Sequence, residues 1–299
     1  MAFDNFYFKY TTRLDFLENS QFRFTQPNQL NDPLECYPQI LMESYADEDI
    51  ELAKEQARNM GISSPEEIER WWPLFLATLP RRRITPEEYP GVPYPRGIHS
   101  MAELDERNAK KHLEELLEHI NESYGFFCVT QSSDNFLMWS LYARAHKGVV
   151  VGFDADHPFF KNAHDFYPVE YSARRISLSS NEGFLRLAGH SHSASHYKDL
   201  PVRLFLRKSE KWQNEAEWRM IRKLEERTSY IPGTPPVYLF EIPREAIKAL
   251  ILGAQISSED IDGICKKVST SRDWTHLQMF KATLARSGYG VEITRYTCS

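Results

Sequence analysis

The chain has 299 residues, of which 41% are hydrophobic and 26% charged, and its formal net charge at pH 7 is -6. This length suits one large domain or two small ones, and the hydrophobic fraction can build a sizeable core. An acidic chain is not a general nucleic-acid binder, and its basic triplet, Arg81 to Arg83, lies in a proline-rich loop.

Cysteine spacing and hydropathy indicate the cellular compartment in which the protein is expected. The four cysteines form no CxxC pair, so the sequence indicates neither a zinc ribbon nor a disulfide framework. The first residues show no secretory pattern, and no window reaches the roughly 18 apolar residues of a membrane span. We therefore expect a cytoplasmic protein in a reducing compartment, without a membrane partner.

The first part of the chain predicts two strands followed by a helical region. Residues 3–10 and 21–25 alternate around aromatic positions, as strands do, and Thr12 can cap a short helix that ends at Glu18. Residues 45–79 and 100–122 have helical patterns, the first with a good helix start at Ser64-Pro65-Glu66-Glu67. The proline-rich residues 80–95 between them predict a loop or lid.

The second part predicts more strands than helices. Strands are expected at 124–130, 149–153, 167–171, 216–222, 237–242, 249–252 and 290–296, and helices at 135–143, 243–247, 257–270 and 274–286, with a serine-rich helical region to about Lys208. We expect an α+β fold: a mixed, mostly antiparallel central sheet or sheets flanked by helices. Residues 1–299 would form a single domain, with a helical insertion at about 45–122.

The segment from Trp212 to Arg219 alternates charged and apolar residues. As a strand, it would place Glu215, Glu217 and Arg219 on one face and Ala216, Trp218 and Met220 on the other, which we expect to be buried. Adjacent charges on a rigid strand are costly unless they pair or meet a ligand. Two interpretations follow: a ligand site, or ion pairs with Arg219 and Lys208 that fix the strand.

Two other groups of polar residues resemble metal sites only weakly. His190, His192 and His196 lie in a Gly/Ser-rich segment whose spacing matches no standard zinc motif. Asp154 and Asp156 follow a predicted strand, where an Asx-turn is the more common explanation. We expect no metal, and the usual phosphate-binding and serine-nucleophile motifs are absent from the sequence.

Four segments are more specific than packing alone requires. They are Tyr7–Thr11, Leu30–Glu35, Met138–Ala143 with Lys147-Gly148, and Trp212–Arg219. In this order, across about residues 6–255, they resemble the bacterial family of unknown function DUF2971. That family shares a YKYT-like start, an NDP-x-E turn, an MWSxYA-xx-HKG helix and turn, and a W-xx-E-x-E-[WY]-R strand.

More distantly, the arrangement resembles an ADP-ribosyltransferase, which implies NAD as the substrate. The resemblance implies that Glu217 stabilises the ribose cation and that Glu215 orients or deprotonates an acceptor, either protein or nucleic acid. It further implies that Tyr10 or Tyr142 stacks on nicotinamide, that Lys9 or Arg219 holds the ribose or pyrophosphate, and that Thr11 is a further NAD-binding residue. The chain departs from that pattern because Lys9 stands where histidine is frequent, and because no Ser-Thr-Ser run is present.

Plainer explanations exist for several of these residues. Asn31 and Asp32 before Pro33 are typical of a turn, and Trp139, with its neighbours at helical spacing, is typical of a core. Three functions therefore stay open: an NAD-consuming toxin or phage-defence enzyme, a module that senses a nucleotide or phage component without turnover, and a metal-dependent nuclease. The nuclease would use Asp32, Glu35, Glu215 and Glu217, and would need Glu35 and Glu217 within roughly 4–6 Å of each other.

Overall fold

A computed structural model describes residues 3, 5–41, 43–44, 47–76, 82–83, 99–179 and 200–298. Of the predicted loop at 80–95 the structure describes only Arg82–Arg83, for which the loop prediction is wrong, because they form a short strand paired with Glu43–Ser44. The histidines His190, His192 and His196 lie outside the described residues. The chain divides into two compact units. The first comprises residues 1–36, 120–174 and 205–299, and the second comprises residues 37–119 and 175–204.

The described residues contain seventeen strands and eight α-helices. The strands are β1 (Phe6–Thr11), β2 (Gln21–Phe24), β3 (Gln39–Leu41), β4 (Glu43–Ser44), β5 (Arg82–Arg83), β6 (Tyr124–Thr130), β7 (Val149–Asp154), β8 (Phe166–Pro168), β9 (Glu170–Ser172), β10 (Ser177–Ser179), β11 (Arg207–Ser209), β12 (Glu217–Lys223), β13 (Ser229–Ile231), β14 (Val237–Glu241), β15 (Ile247–Leu252), β16 (Gln278–Leu284) and β17 (Val291–Arg295). The helices are α1 (Phe16–Asn19), α2 (Asp47–Asn59), α3 (Pro65–Leu76), α4 (His99–Ser123), α5 (Phe136–Tyr142), α6 (Pro158–Lys161), α7 (Leu200–Leu206) and α8 (Ser258–Thr270). None of the helices in the described part of the chain is long and apolar enough to cross a membrane.

An eight-stranded sheet organises the first unit. Its described strands lie in the order β17-β16-β15-β7-β1-β6-β12-β8. All neighbouring pairs are antiparallel except β15 and β16, which are parallel. A second antiparallel sheet has the order β13-β14-β2. This architecture confirms the prediction of a mixed, mostly antiparallel α+β fold.

The central strands of the large sheet are buried on both faces. On β1, Tyr7 packs into one apolar cluster while Phe8 and Tyr10 pack into another. On β7, Val149 belongs to the first cluster and Val150 to the second. Successive strand residues point to opposite faces, so each strand contributes to two cores. This double burial holds β1 rigid, which matters because β1 carries three of the predicted site residues.

The second unit contains the helices predicted after residue 45. Within it, α2 and α3 are joined by an ion pair between Lys54 Nζ and Glu69 Oε1 at 2.8 Å. The indole nitrogen of Trp72 donates to Glu69 Oε2 at 3.0 Å. Two short strand pairs, β3 with β10 and β4 with β5, also belong to this unit.

Two local predictions are wrong. The helix predicted at 274–286 is strand β16, paired in parallel with β15 and antiparallel with β17. The segment is rich in helix-forming residues, but burial of Met279 and Phe280 in the sheet outweighs that preference. The short helix predicted after Thr12 begins only at Phe16, because the preceding residues still belong to β1 and the turn after it.

The prediction that the cysteines form no disulfide is also wrong. Cys265 on α8 and Cys298, which follows β17, form a disulfide with their Cα atoms 5.5 Å apart. Their separation of 33 residues matches no spacing motif. The pairing arises because the fold brings α8 and the end of the chain together, which spacing alone could not indicate. Cys36 and Cys128 are free thiols.

Gly253 packs directly against the turn between α5 and β7. A Cβ atom there would lie 2.2 Å from the His146 carbonyl oxygen and 2.6 Å from that of Gly148. We expect Gly253→Ala to lower the free energy of unfolding by about 1–3 kcal/mol, because rigid backbone must move. Gly263→Ala, with open space inside α8, should instead raise it by about 0.5–1 kcal/mol. Urea denaturation measures both; equal effects would contradict this packing.

Candidate functional site

The charged segment after Trp212 is not one continuous strand. Residues Glu210–Glu215 form a 3-10 helix, Ala216 has a left-handed φ of 43°, and β12 begins only at Glu217. The prediction that Glu215 lies on the same strand as Glu217 is therefore wrong. Ala216 is also exposed rather than buried. The 3-10 helix forms because Ser209 caps it by accepting from the Lys211 N–H, and the turn after it lets Glu215 point toward Lys208.

Lys208 is the centre of a buried ion-pair network. Its Nζ lies 2.5 Å from Glu215 Oε2, 2.8 Å from Glu217 Oε2 and 3.7 Å from Glu35 Oε2. Only 2% of its side chain is exposed. The strand β11 fixes Lys208 by pairing in parallel with β9. One ammonium group therefore links the 3-10 helix, β12 and the turn that carries Glu35.

Arg219 forms the second centre of this network, on the same face of β12 as Glu217. Its Nε and Nη2 donate to Glu217 Oε1 at 3.0 and 2.7 Å. Nη2 also donates to Glu35 Oε1, and Nη1 donates to the Phe205 carbonyl. The Arg219 side chain is fully buried. The network thus holds three carboxylates and two cations, a formal excess of one negative charge.

The pKa values of two carboxyl groups in the network shift in opposite directions. Burial alone would raise the pKa of Glu217, but the charges of Arg219 and Lys208 lower that pKa to about 2. Burial of Glu35 outweighs the same two cations and raises its pKa above the ordinary value. The carboxylates keep the pKa of Lys208 raised despite its burial. Glu217 is therefore ionised at any physiological pH, while Glu35 is the group that takes up a proton most readily of the two.

Two tyrosine hydroxyls form hydrogen bonds with Glu215 and Glu217. Tyr142 Oη donates to Glu215 Oε1 at 2.6 Å, and Tyr171 Oη accepts from the Glu217 N–H at 2.8 Å. Burial, then the bond to Glu215, raises the pKa of Tyr142, and burial raises the pKa of Tyr171 to about 12. Both phenols therefore stay protonated and keep these positions fixed.

Helix α5 places Tyr142 beside Glu215 because the N-cap residue of the helix, Asn135, is hydrogen-bonded at both ends of its side chain. Asn135 caps α5 by accepting from the Leu137 and Met138 N–H groups, as the prediction of a helix at 135–143 requires. The same side chain donates from Nδ2 to the Asn214 carbonyl at 2.6 Å. One asparagine therefore both starts α5 and ties it to the 3-10 helix that carries Glu215.

A cavity of about 340 Å³ opens beside the network within the first unit. Seven of the predicted site residues line it: Lys9, Tyr10, Thr11, Asn31, Tyr142, Glu215 and Glu217. The other four do not line it: Arg219 and Glu35 lie buried in the network, Asp32 forms a turn, and Trp139 lies in the core. The structure therefore brings residues from four separate segments of the chain to one cavity.

The four residues off the cavity have structural contacts. Asp32 accepts from the Leu34 N–H and from Trp212 Nε1, each at 2.9 Å, so the turn interpretation describes its geometry. The same turn places Glu35 where its Oε1 accepts from Arg219 Nη2. Trp139 is fully buried and its Nε1 donates to the Ser133 carbonyl at 2.9 Å, as expected of a core residue.

Of the two predicted stacking residues, Tyr142 is the more exposed to the cavity: it is partly buried, whereas Tyr10 is buried. Tyr10 is only 7% exposed, donates to the Ser132 carbonyl at 3.0 Å and packs edge-on against Trp139. Lys9 lies beside them, with Nζ 3.1 Å from the Cys128 carbonyl and 4.5 Å from the centre of the Phe127 ring. These contacts fix Lys9 in the cavity wall.

Sequence reasoning missed two arginines of the cavity wall, Arg13 and Arg23. The signal for Arg23 was present, because Phe22 and Phe24 alternate with it on β2 and both are buried. Arg23 must therefore face away from the core.

Comparison with known proteins supports part of the resemblance. The chain matches the family model DUF2971, described as a protein of unknown function, over residues 138–220. This DUF2971 region contains α5 from Met138 onward and Lys208, Glu215, Glu217 and Arg219, but neither the YKYT-like start nor the NDP turn. No curated protein and no solved structure was found to match the chain. Within the described residues, no group of three or more His, Cys, Asp or Glu side chains is arranged to hold a metal ion.

Proposed function

We propose that the cavity binds NAD and that the protein is ADP-ribosyltransferase-like, acting as a transferase or an NAD glycohydrolase. One observation carries this proposal. The residues assigned to NAD from the resemblance, apart from Arg219, all line a single cavity of about 340 Å³. That volume is within the range of small-molecule sites and suits the nicotinamide and ribose half of the dinucleotide. Such an enzyme would deplete cellular NAD, which is the basis of the proposed toxin or phage-defence role.

The chemistry of the site is consistent with cleavage of the nicotinamide-ribose bond. Positive charge develops on the ribose in the transition state, and a fixed carboxylate stabilises it. Glu217 suits this task because its pKa of about 2 keeps it ionised. Glu215 is held by Lys208 and Tyr142, and would orient or deprotonate the acceptor, which is water in a glycohydrolase.

A second candidate, nucleotide binding without turnover, rests on a specific contact pattern. Glu217 Oε1 accepts from Arg219 and Glu217 Oε2 accepts from Lys208 at 2.8 Å. Both oxygens therefore already face a cation, which weakens the negative potential available to a ribose cation. If these pairs persist in the complex, the cavity would sense a nucleotide and leave it intact.

The nuclease alternative meets its distance requirement, because Glu35 Oε1 and Glu217 Oε1 both accept from Arg219 Nη2, but cations already occupy the space between these carboxylates. Arg219 bonds to both Glu35 and Glu217, and Lys208 lies within 3.7 Å of both. A shared metal ion would have to displace these two cations. Asp32 is directed to Trp212 instead. We therefore do not propose metal-dependent hydrolysis.

Incubation of the purified protein with NAD tests the proposal. We expect a rise in melting temperature with NAD, because a ligand of the folded state stabilises it. We also expect release of nicotinamide, with a fall of at least about 100-fold in Glu217→Gln, as is typical when a residue that stabilises the transition-state charge is removed. Glu226→Gln, at an exposed position on a nearby 3-10 turn, is the matched control.

The two candidates give different results in this experiment. Stabilisation by NAD without nicotinamide release would favour the sensing function over the enzyme. If NAD neither raises the melting temperature nor is cleaved to release nicotinamide, NAD is refuted as the ligand. Circular dichroism of Glu217→Gln at the assay temperature verifies that lost activity is not lost folding.

A further inference from the structure

Three cationic side chains converge on one wall of the cavity. Lys9 belongs to β1, Arg13 follows that strand, and Arg23 belongs to β2, and all three line the same space. They are distinct from Lys208, the fourth cation of the lining, which is occupied by carboxylates. The cavity is therefore lined both by this basic wall, made of Lys9, Arg13 and Arg23, and by the carboxylates Glu215 and Glu217 of the ion-pair network.

Arg23 has nitrogen atoms without partners. Arg23 is partly exposed as a residue, but its Nε and Nη2 are buried and have no hydrogen-bond partner among the described residues. Leaving a buried donor unsatisfied costs about 1–3 kcal/mol, and more when the group is charged. A side chain that could only reduce stability would be expected to be apolar or exposed. The unused donors of Arg23 therefore indicate a ligand acceptor in the cavity.

The cations of this wall also repel one another. Burial lowers the pKa of Arg23, and the charge of Arg13 lowers it further. Burial lowers the pKa of Lys9 as well, with Arg23 adding to the effect and Glu217 only partly opposing it. Arg13 has a partner in Asp15, but Arg23 has no such ion pair among the described residues. An anion in the cavity would relieve this repulsion.

We propose that Lys9, Arg13 and Arg23 form a phosphate subsite that takes the pyrophosphate of the bound nucleotide. A guanidinium presents parallel N–H groups that match two phosphate oxygens, and an ammonium adds a point charge. The hydroxyls of Thr11 and Thr25 line the same space and can donate to the remaining oxygens.

This subsite fixes the direction of the ligand, and in that respect it rests on the proposed function. Arg23, Lys9, Glu217 and Tyr142 all line the cavity, and the charges of both Arg23 and Glu217 act on the pKa of Lys9. A nucleotide with its pyrophosphate on Arg23 would therefore direct its sugar toward Glu217 and Tyr142. The ligand class becomes a nucleoside diphosphate or dinucleotide rather than an uncharged nucleoside.

Isothermal titration with inorganic pyrophosphate and, separately, with NAD tests this subsite. We expect the parent protein to bind pyrophosphate, more weakly as salt is raised. Arg23→Gln should weaken both ligands by at least about tenfold, the value of one charge-assisted contact. Arg295→Gln is the control, because Arg295 is exposed on β17, and the three strands β16, β15 and β7 separate β17 from β1. Without ligand, Arg23→Gln should melt no lower than the parent, since it removes an unpaired buried charge.

The possible results separate the subsite from the proposed function. If pyrophosphate does not bind the parent, or if Arg23→Gln binds within about twofold of the parent, the subsite is refuted. NAD binding that is independent of Arg23 would refute the subsite and leave the proposed function standing. Arg23-dependent binding of pyrophosphate without binding of NAD would support the subsite and refute NAD as the ligand. Should Arg23→Gln not fold, Arg23→Lys, which keeps the charge and loses the planar fork, gives the same comparison with a smaller decrease.

Discussion

Replacing Arg219 by methionine is expected to lower the free energy of unfolding by about 3–5 kcal/mol. Methionine fills much of the space of the arginine stem but leaves Glu217 with Lys208 alone and removes the partner of Glu35 Oε1. Three buried carboxylates, those of Glu35, Glu215 and Glu217, would then face the single cation Lys208. Guanidinium chloride denaturation at pH 7 measures the loss.

Arg222→Met is the matched control on the same strand. Arg222 also forms an ion pair, at 3.0 Å with Asp165, but its side chain is 25% exposed. Solvent screens such a pair, so we expect a loss of no more than about 1 kcal/mol. If both substitutions cost the same, burial is not what gives the Arg219 pairs their strength, and the network is no more important than a surface pair.

Most of the fold near the cavity could be predicted from local patterns. Strand β6 and helix α5 were both found, since an apolar run indicates the first and Asn135 before an amphipathic segment indicates the second. Strand β16 was missed because its preference for strand comes from β15 and β17, which are neighbours only in the folded chain. The disulfide of Cys265 was missed for the same reason.

The site was predicted in its membership more than in its geometry. The pairing of Glu215 and Glu217 with Lys208 was one of the two interpretations left open, and the structure contains these ion pairs. Their presence does not remove the ligand interpretation, because both carboxylates also line the cavity. Glu35 is among the carboxylates that the sequence points to, but its contact with Arg219 could not be predicted, because the two residues lie 184 positions apart and only the tertiary fold brings them together.

The opposite pKa directions of Glu217 and Glu35 predict that the matching glutamine substitutions differ. The pKa of Glu217 is about 2 in the folded protein and 4.5 ordinarily, so its ionised form stabilises the fold above about pH 4.5. That contribution, about 3 kcal/mol, is lost as the pH falls from about 4.5 to 2. Glu35 has a raised pKa, so its negative charge does not stabilise the fold, and protonation of Glu35 on acidification favours the folded state.

Glu217→Gln is therefore expected to cost about 3 kcal/mol at pH 7 and progressively less below about pH 4.5, where the parent loses the same contribution. Glu35→Gln should cost no more than about 1 kcal/mol at pH 7, because a neutral amide oxygen still accepts from Arg219 Nη2. Urea denaturation of the parent and both variants between pH 3 and pH 7 measures these differences. Equal costs at pH 7, or a cost of Glu217→Gln that does not change with pH, would mean that the charge of Glu217 is not what the two buried cations stabilise. In that case the carboxylate would be held by shape and hydrogen bonding rather than by the charges of Arg219 and Lys208.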